Sequence, residues 1–425
     1  MHEGQPPDRF EQILSDVVLG ARLPPRLRTP GECRTGDGTT CTLCIASRLT
    51  YEMELPLKER ALGIFRSTHL GEVRCDPLLA SARGRYYRIV TKRKVFPHPQ
   101  GPLLGLIDPR ETAHRGAFPV ERCVIEPDEH RLLYAEVQRQ LGADPRGALS
   151  RRLRYVVLKG SYDERMLILS VTPGDRSLTR EANHLSQRLH NASPGLEGVF
   201  LMEDPSPGRY YLGPDAALSG GAGIRKIFGR PNTLIRVEGR AFLYPPGAFT
   251  QVNLAMADRL VEVARELLEP RGEETLYDLY SGYGLFALCL AGSVRRVIGA
   301  EWSPVAVEAA RANARRQHAA NTRFHRTDIT PESVSALVRP TRHGDLLLLD
   351  PPRSGTSPGV IEAIAARGVS RVLHIVCNMD ILPREIRRWT RARYRVKRLV
   401  PMDLFPGTAS VEMLCLLEPR ERLGF

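Results

Sequence analysis

This chain of 425 residues has no long hydrophobic run, and its amino terminus, MHEGQPPDRF, lacks the apolar core of a secretory signal. A helix needs about 20 consecutive apolar residues to cross a bilayer, and a signal sequence needs a shorter apolar stretch. Both absences argue against membrane insertion and against secretion. We therefore expect a cytoplasmic protein without a membrane partner.

Acidic residues are also scarce relative to basic ones. The 48 Asp and Glu residues face 61 Lys and Arg residues, which gives a formal net charge of +13. This excess favours a polyanionic partner, most simply nucleic acid, although a basic surface that only aids solubility is an alternative. The eight cysteines do not indicate a disulfide framework in a chain of this class, so we expect some of them to bind metal or take part in catalysis.

Three of the cysteines form a compact pattern near the amino terminus. Cys33, Cys41 and Cys44 have the spacing C-x7-C-x2-C, with a glycine-rich loop between the first two. Two thiolates separated by two residues can share one metal centre, and such a site needs a fourth ligand. Cys75 and Cys123 are the candidates, and the loop context ERCVIEP favours Cys123. Three unconnected thiols remain the alternative on spacing alone.

The length of the chain predicts two or three domains, and we expect a monomer. Residues 1–30 are rich in Pro, Arg and Gly, so we predict a disordered or loosely packed extension with a short helix at Phe10–Val18. Residues 31–129 are the cysteine-rich region, in which the segment from Tyr51 to Leu70 has a helical pattern.

A basic strand is predicted in the same region. Arg83 to Val95 alternates basic residues with aromatic or β-branched ones. Such a strand could place cations on phosphates and the rings of Tyr86 and Tyr87 under bases. A strand with an ordinary solvated face explains the pattern equally well.

The rest of the chain divides into two patterns. Residues 130–245 combine a hairpin around SYDER with a helix and further strands, which predicts a central α+β domain. Residues 246–425 alternate helices with strands, which predicts an α/β domain with a doubly wound, Rossmann-like parallel sheet. The last two strands flank a tight FPGTA loop, so we expect an antiparallel hairpin at one edge of that sheet.

A nucleotide-like site is predicted at the first turn of the α/β domain. The motif DLYSGYG, whose glycines include Gly282, joins the first strand to the first helix, but it lacks the third glycine of the dinucleotide fingerprint. Glu301 and Asp328 end the next two strands, where carboxylates can bind a ribose and an adenine amino group. The sequence has no Walker lysine, so S-adenosylmethionine fits better than NAD or ATP. A plain α/β fold with acids at strand ends is the alternative.

A nucleophile is predicted at the end of the fifth strand. In RVLHIVCNMD, Cys377 follows an apolar run and precedes Asn378, while Asp350 ends the fourth strand and Glu412 follows the FPGTA loop. A thiolate can add to C6 of uracil and make C5 nucleophilic. A carboxylate must then remove the C5 proton. A buried structural cysteine is the commoner fate of such a residue.

The ordered set of motifs resembles one family closely, the RNA uracil-C5 methyltransferases. The motifs are FTQVN, DLYSGYG, LLLLDPPRSG, HIVCN and MDLFPGTASVE. The resemblance implies that Cys377 is the nucleophile and Glu412 the base that removes the C5 proton. It also implies a set of positions that contact S-adenosylmethionine. In this sequence they are Gln251, Tyr280, Glu301, Asp328 and Asp350, beside the turn glycine Gly282.

The ribosomal RNA members of that family imply a further site, a [4Fe–4S] cluster. Its ligands here would be Cys33, Cys41, Cys44 and Cys123. The spacing is most similar to the short 23S ribosomal RNA enzymes that lack a TRAM barrel, so we expect 23S ribosomal RNA as partner and substrate. Transfer RNA is the second candidate, zinc could replace the cluster, and a non-catalytic RNA-binding or iron–sulfur protein is the alternative from another class.

The sequence departs from the family pattern beside the nucleophile and in the glycine turn. The family usually has Ser before the catalytic Cys and Pro or Ala after the Asn, where this chain has Val376 and Met379. Leu285 also replaces a usual polar or glycine residue. These departures affect the expected shape of the loop, but none removes a group that the chemistry requires.

Overall fold

A computed structural model describes residues 9–21, 34–35, 41, 44–98, 101–107, 117–118, 120–174, 176–203, 223–340 and 344–420. Within these ranges the strands form two seven-stranded sheets and two short pairs. Among the described residues, no helix is both long and apolar enough to cross a membrane.

The amino-terminal segment contains a packed helix, α1 (Arg9–Gly20). Its buried residues Phe10, Leu14, Val17 and Val18 recur at helical spacing, which gives the helix one apolar face. Phe10 meets Phe65 edge to face with the ring centroids 5.8 Å apart. The short helix predicted at Phe10–Val18 within the extension is therefore present, and it is packed. The remainder of residues 1–30, except Ala21, lies outside the described residues.

The cysteine-rich region adds a short strand and a long helix. Strand β1 (Arg34–Thr35) is followed by the 3-10 turn Ile45–Ser47 and by α2 (Tyr51–His69). Helix α2 matches the predicted helix closely. It packs against α1, and its buried face carries charged as well as apolar side chains.

The central region is an α+β unit with a seven-stranded sheet. In chain order the elements are β2 (Thr91–Phe96), β3 (Leu103–Ile107), β4 (Ala117–Phe118), β5 (Val120–Arg122), α3 (Asp128–Ala143), α4 (Ala148–Arg152), β6 (Leu153–Gly160), β7 (Arg165–Val171), α5 (Arg176–Ala192), β8 (Leu196–Glu203) and β9 (Ile224–Gly229). The strands follow the order β4-β3-β2-β6-β7-β8-β9 across the sheet, and the predicted hairpin is the antiparallel pair β6–β7. The sheet includes strands from before residue 130, where the predicted domain begins.

The predicted basic strand is shorter and more buried than its sequence pattern indicates. The strand covers Thr91–Phe96. Tyr87 is fully buried, and its hydroxyl donates to the carbonyl of Pro406 at 2.8 Å. Arg93 is buried in a bidentate ion pair with Glu126 at 2.6 and 2.5 Å. The prediction is therefore wrong for Tyr87 and Arg93, because tertiary partners already occupy the groups that were expected to meet RNA.

The carboxyl-terminal region contains the predicted doubly wound α/β domain. A separate two-stranded hairpin, β10 (Thr233–Val237) and β11 (Arg240–Tyr244), precedes it and lies within residues 130–245, the range predicted to form the central domain. The elements that follow are α6 (Ala257–Leu268), β12 (Thr275–Leu279), α7 (Leu285–Leu290), β13 (Arg296–Glu301), α8 (Pro304–Arg316), β14 (Thr322–Arg326), α9 (Pro331–Leu337), β15 (Leu346–Leu349), α10 (Val360–Ala365), β16 (Arg371–Val376), α11 (Leu382–Arg391), β17 (Tyr394–Met402) and β18 (Glu412–Pro419).

The strand order of this second sheet fixes where a site can form. It runs β14-β13-β12-β15-β16-β18-β17, with β12 to β16 parallel and the last pair antiparallel. This confirms the Rossmann-like sheet with an antiparallel hairpin at its edge. The order reverses between β12 and β15, and ligands bind outside the carboxyl ends of strands at such a switch point. The predicted site residues follow these strand ends.

Candidate active site

The predicted nucleophile and base lie opposite each other at the edge hairpin. Val376 of β16 pairs with Met413 of β18 in antiparallel register. Cys377 directly follows Val376 at the end of β16, and Glu412 directly precedes Met413, so continuation of this register places the two residues side by side. Asp350 follows β15, the strand on the other side of β16. Three residues predicted from separate motifs thus converge at one edge.

Burial raises the pKa of each acid in this group. Burial raises the pKa of the Cys377 thiol to about 12, and the nearby charges of Glu412 and Asp350 add to the rise. Burial also raises the pKa of Glu412 well above its usual range, and the charge of Asp350 acts in the same direction. Oε2 of Glu412 has no hydrogen-bond partner among the described residues. A buried acceptor without a partner is suited to accept a proton.

Asp350 connects this group to the predicted cofactor site. Burial raises the pKa of Asp350 to about 7, and the hydrogen bond from Gln251 opposes the rise. Nε2 of Gln251 donates to Oδ2 of Asp350 at 3.3 Å. Gln251 is itself buried, in the loop that connects β11 to α6. The FTQVN and LLLLDPP motifs therefore meet directly.

The glycine turn after β12 is tied to Glu301 at the end of β13. The amide of Gly282 donates to Oε2 of Glu301 at 3.1 Å, and the amide of Ser303 donates to Oε1 at 2.8 Å. Gly282 has a φ of 55°, in the left-handed region that favours glycine. Burial raises the pKa of Glu301. Each carboxylate oxygen keeps acceptor capacity, as hydrogen bonding to ribose hydroxyls requires.

Tyr280 and Asp328 lie at the ends of β12 and β14. Tyr280 has a φ of 66°, which is uncommon for a residue other than glycine and is often found at functional sites. Burial raises the pKa of Tyr280, and the charge of Asp328 adds to the rise, so the two side chains share one environment. Asp328 is exposed, and its Oδ1 accepts from the amide of Ile329 at 2.9 Å.

Two contacts at this edge were not predicted from the sequence. Asp278 is fully buried, its Oδ2 accepts from the amide of Ala287 at 2.9 Å, and burial raises its pKa to about 8. Asp380 accepts from the first two amides of α1, Arg9 at 2.7 Å and Phe10 at 3.0 Å. Its partners are more than 350 residues away in the chain, so no local pattern could indicate this contact.

A cavity of about 460 Å³ opens beside Cys377. Its walls come from the Cys377–Asp380 segment, from the loop 408–411, from Arg353, from residues 44, 45 and 48, and from α1. Ligand sites are typically concave and of this size. The thiol, the loop that precedes Glu412 and the amino-terminal helix therefore surround one space.

The predicted metal ligands are only partly described. Cys41 is buried in a small cluster with Ala46 and Val124, against which Cys44 and Ile125 pack. Arg34, the residue after Cys33, pairs with Arg122, the residue before Cys123. Cys33 itself lies outside the described residues.

The other candidate ligand, Cys75, lies elsewhere, where its backbone forms an isolated parallel β-bridge with Leu399 of β17. Within the described residues, no group of three or more His, Cys, Asp or Glu side chains is arranged to hold a metal ion. The four-cysteine site therefore stays a prediction.

Comparison with known proteins gives a consistent result. Residues 230–420 match the model of the tRNA (Uracil-5-)-methyltransferase family. An uncharacterized RNA methyltransferase of Thermosynechococcus vestitus is 29% identical over 432 residues, which cover 97% of this chain and 91% of that protein. The 23S rRNA (uracil(1939)-C(5))-methyltransferase RlmD of Pseudomonas fluorescens is 37% identical over 175 residues, 41% of this chain and 38% of that one.

A solved structure shares the fold. It is the Pyrococcus abyssi tRNA (uracil-54, C5)-methyltransferase in complex with S-adenosyl-L-homocysteine, with a TM-score of 0.65 and 21% sequence identity. The match covers 87% of this chain and 84% of that one. At this identity the likeness concerns the fold alone.

Proposed function

We propose that this chain, whose residues 230–420 match the tRNA (Uracil-5-)-methyltransferase family and whose relatives include RNA methyltransferases, is an RNA uracil-C5 methyltransferase. Its proposed reaction is the methylation of C5 of a uridine in 23S ribosomal RNA through a covalent adduct with Cys377. The observation that carries the proposal is the convergence of Cys377, Glu412 and Asp350 at one sheet edge beside a cavity. The relative that acts on 23S rRNA by name supports the choice of RNA.

The proposed mechanism assigns one role to each group. The Cys377 thiol loses its proton, for which Asp350 is suited because its pKa is about 7. The thiolate adds to C6 of the uracil, and the electron pair that develops at C5 would attack the methyl group of S-adenosylmethionine, whose S–CH3 bond breaks so that S-adenosylhomocysteine leaves. Glu412 removes the C5 proton, the C5–C6 double bond re-forms, and the thiolate leaves. The target base must leave its stack to reach the buried thiol.

S-adenosylmethionine would supply the methyl group, and the strand-end residues fit it. We propose that Glu301 holds the ribose hydroxyls and that Asp328 and Tyr280 lie beside the adenine. Gly282 allows the close approach of the backbone, while Gln251 and Asp350 lie on the side of the cofactor that faces Cys377. The donor set supports this assignment, since it has two carboxylates at separate strand ends and no group specific for a pyrophosphate.

A labelled-methyl assay tests the proposed function. Wild type, Cys377→Ala and Cys415→Ala are incubated with labelled S-adenosylmethionine and with purified 23S ribosomal RNA or transfer RNA, and the nucleosides are separated. We expect 5-methyluridine in 23S RNA with wild type and with the Cys415 control, which alters a buried cysteine on β18, and none with Cys377→Ala. Label only in transfer RNA would contradict the substrate, and label in neither RNA would contradict the function.

We further propose that Cys33, Cys41, Cys44 and Cys123 hold a [4Fe–4S] cluster. The shared cluster of Cys41 and Cys44 with the residues after Cys123 supports it, as does the pairing of β1 with β5. Anaerobically purified protein should be brown and contain equal amounts of iron and acid-labile sulfide. Cys123→Ser should lose both, whereas Cys289→Ser, in α7, should keep them. A colourless protein that contains zinc would contradict the cluster.

We also propose that the protein acts in the cytoplasm as a monomer. The basic charge and the RNA chemistry support the first part, since rRNA is the substrate we assign. Size-exclusion chromatography with light scattering tests the second part, and a mass of twice 47.5 kDa would contradict it.

A further inference from the structure

Helix α1, which the sequence predicts as a short helix at Phe10–Val18, forms part of the wall of the cavity that contains Cys377. The cavity is lined on this side by Glu11, Ser15 and Leu19, among other α1 residues. These three residues lie at i, i+4 and i+8, so they form one stripe along the helix. All three are exposed, and Leu19 has 73% of its surface accessible. The stripe therefore faces the space that the substrate enters.

The neighbouring face of α1, part of which also lines the cavity, fixes the helix in place. Phe10, Leu14, Val17 and Val18 are buried in the same core cluster as Val376 and Met413, the strand residues beside the nucleophile and the base. Asp380, three residues after Cys377, accepts from the first two amides of the helix. A carboxylate at a helix amino terminus satisfies free amides and the helix dipole. The position of α1 is thus tied to the catalytic loop.

The length of the stripe exceeds what one base needs. The first residue of the helix, Arg9, is hydrogen-bonded to Asp380. Glu11 therefore lies near the loop that contains Cys377, and Leu19 lies two turns farther from it. From Glu11 to Leu19 the helix axis advances by roughly 12 Å, at ~1.5 Å per residue. Successive nucleotides in a stacked strand are ~3.4 Å apart. The wall is long enough for the target uridine and for at least one nucleotide next to it.

The chemistry of the stripe suits the edges and faces of bases. The Glu11 carboxylate accepts hydrogen bonds from base N–H groups, the Ser15 hydroxyl donates or accepts, and Leu19 offers an apolar contact. A carboxylate is a poor neighbour for a phosphate. The cations of the same cavity, Arg48 and Arg353, are the groups suited to the RNA backbone.

We propose that α1 is a specificity element: Glu11, Ser15 and Leu19 contact the bases of single-stranded RNA that flank the target uridine. The proposal rests on the proposed function for the identity of the ligand, RNA with an accessible uridine. It extends that function, because it assigns the choice among uridines to a helix outside the α/β domain.

A selection experiment with the full chain tests this assignment. The probe is an RNA hairpin whose loop has a central uridine and randomised bases on both sides. The triple variant Glu11→Gln/Ser15→Ala/Leu19→Ala is compared with wild type and with Gln12→Ala/Asp16→Asn. That control changes two exposed residues of α1 that bond to each other and do not line the cavity. Sequencing of the bound RNA and of the methylated RNA gives two independent results.

The bound pool decides the role of α1, and the methylated pool decides the proposed function. We expect wild type and the control to prefer particular bases beside the uridine by about tenfold, and the triple variant to lose that preference while it still requires the uridine. Equal preferences in the triple variant and wild type, or none in wild type, would overturn the role of α1. Selective binding by wild type without any methylation would instead overturn the proposed function.

Discussion

At the level of single residues, the proposed removal of the C5 proton depends on Glu412 as the base. Its carboxyl is buried, and Oε2 lacks a partner among the described residues. We predict that Glu412→Gln lowers the turnover rate by about 10²-fold or more, the usual contribution of a general base, because the C5 proton can no longer be removed. RNA binding should persist, and the covalent complex should accumulate on denaturing gels. Glu418→Gln on the same strand is the control, and equal turnover in both variants would contradict the role.

The raised acid pKa values predict a rising pH–rate profile. The pKa of Asp350 is about 7, and the pKa of Glu412 is raised well above its usual range by burial. A carboxyl accepts a proton only after it ionises. Because the raised pKa values move this ionisation toward neutral pH, the ionised, active form becomes more abundant as the pH increases. Single-turnover rates measured between pH 6 and 8.5 at saturating RNA and S-adenosylmethionine should therefore increase. A flat or falling profile would contradict the assignment.

At the scale of elements, strand β6 of the central sheet supports the loop that carries Gln251. Nζ of the buried Lys159 donates to the carbonyls of Pro246 at 2.9 Å and Ala248 at 2.7 Å, just before Gln251. The ammonium also lies 5.0 Å from the ring centroid of Tyr244. Burial lowers the pKa of Lys159 to about 7. This lysine is a positioning residue that links two domains.

The variant Lys159→Met tests this link. We predict an increase of about tenfold in KM for S-adenosylmethionine with a smaller change in kcat, because the loop that carries Gln251 loses two hydrogen bonds of ~1 kcal/mol each. Lys226→Met, an exposed lysine on β9, should leave both constants unchanged. Calorimetric titration with S-adenosylmethionine measures the same effect without RNA. Unchanged affinity in Lys159→Met would contradict the positioning role.

At the scale of the whole molecule, a buried ion network joins α2 to the loop before Glu412. Nζ of Lys58 lies 2.7 Å from Oε1 of Glu54 and 2.9 Å from Oδ1 of Asp403, and all three side chains are fully buried. The amide of Gly407 donates to the same oxygen of Glu54 at 2.6 Å. The amino-terminal region is therefore part of the scaffold of the catalytic edge.

Removal of the central cation should destabilise the whole protein. Lys58→Met removes the ion pairs of Lys58 with the buried Asp403 and Glu54, of which Glu54 keeps Arg85. Breaking a buried ion pair costs about 3 kcal/mol or more, so we predict a clearly lower Tm by differential scanning fluorimetry. Arg60→Met, an exposed residue of the same helix, is the control. Addition of Glu54→Gln and Asp403→Asn to Lys58→Met should recover part of the loss. A Tm equal to that of wild type would contradict the structural role of the network.

The features predicted correctly are those that local patterns and strand order determine. Apolar runs ended by Cys377 and Asp350 placed both residues at carboxyl strand ends, and the FPGTA loop predicted the hairpin that brings Glu412 beside Cys377. The parallel order then makes these ends meet. Local patterns and strand order are therefore sufficient to predict that these side chains lie at one edge of the sheet.

The features that the sequence could not give depend on contacts between distant segments. In the sequence, 371 positions separate Asp380 from Arg9 at the start of α1, and 345 separate Asp403 from Lys58. The prediction that the basic strand contacts RNA was wrong at Arg93 for the same reason. Arg93 forms an ion pair with Glu126, and no sequence periodicity connects these two residues. Partners of this kind become visible only when the tertiary fold is known.

The most direct test of the central claim is the covalent adduct on Cys377. Protein is incubated with S-adenosylmethionine and substrate RNA that contains 5-fluorouridine, whose fluorine cannot be removed as a proton. We predict a complex that survives denaturation, with the modified nucleotide on the tryptic peptide that contains Cys377, and no complex with Cys377→Ala. An adduct that persists in Cys377→Ala, or 5-methyluridine formed by that variant on ordinary RNA, would contradict the account.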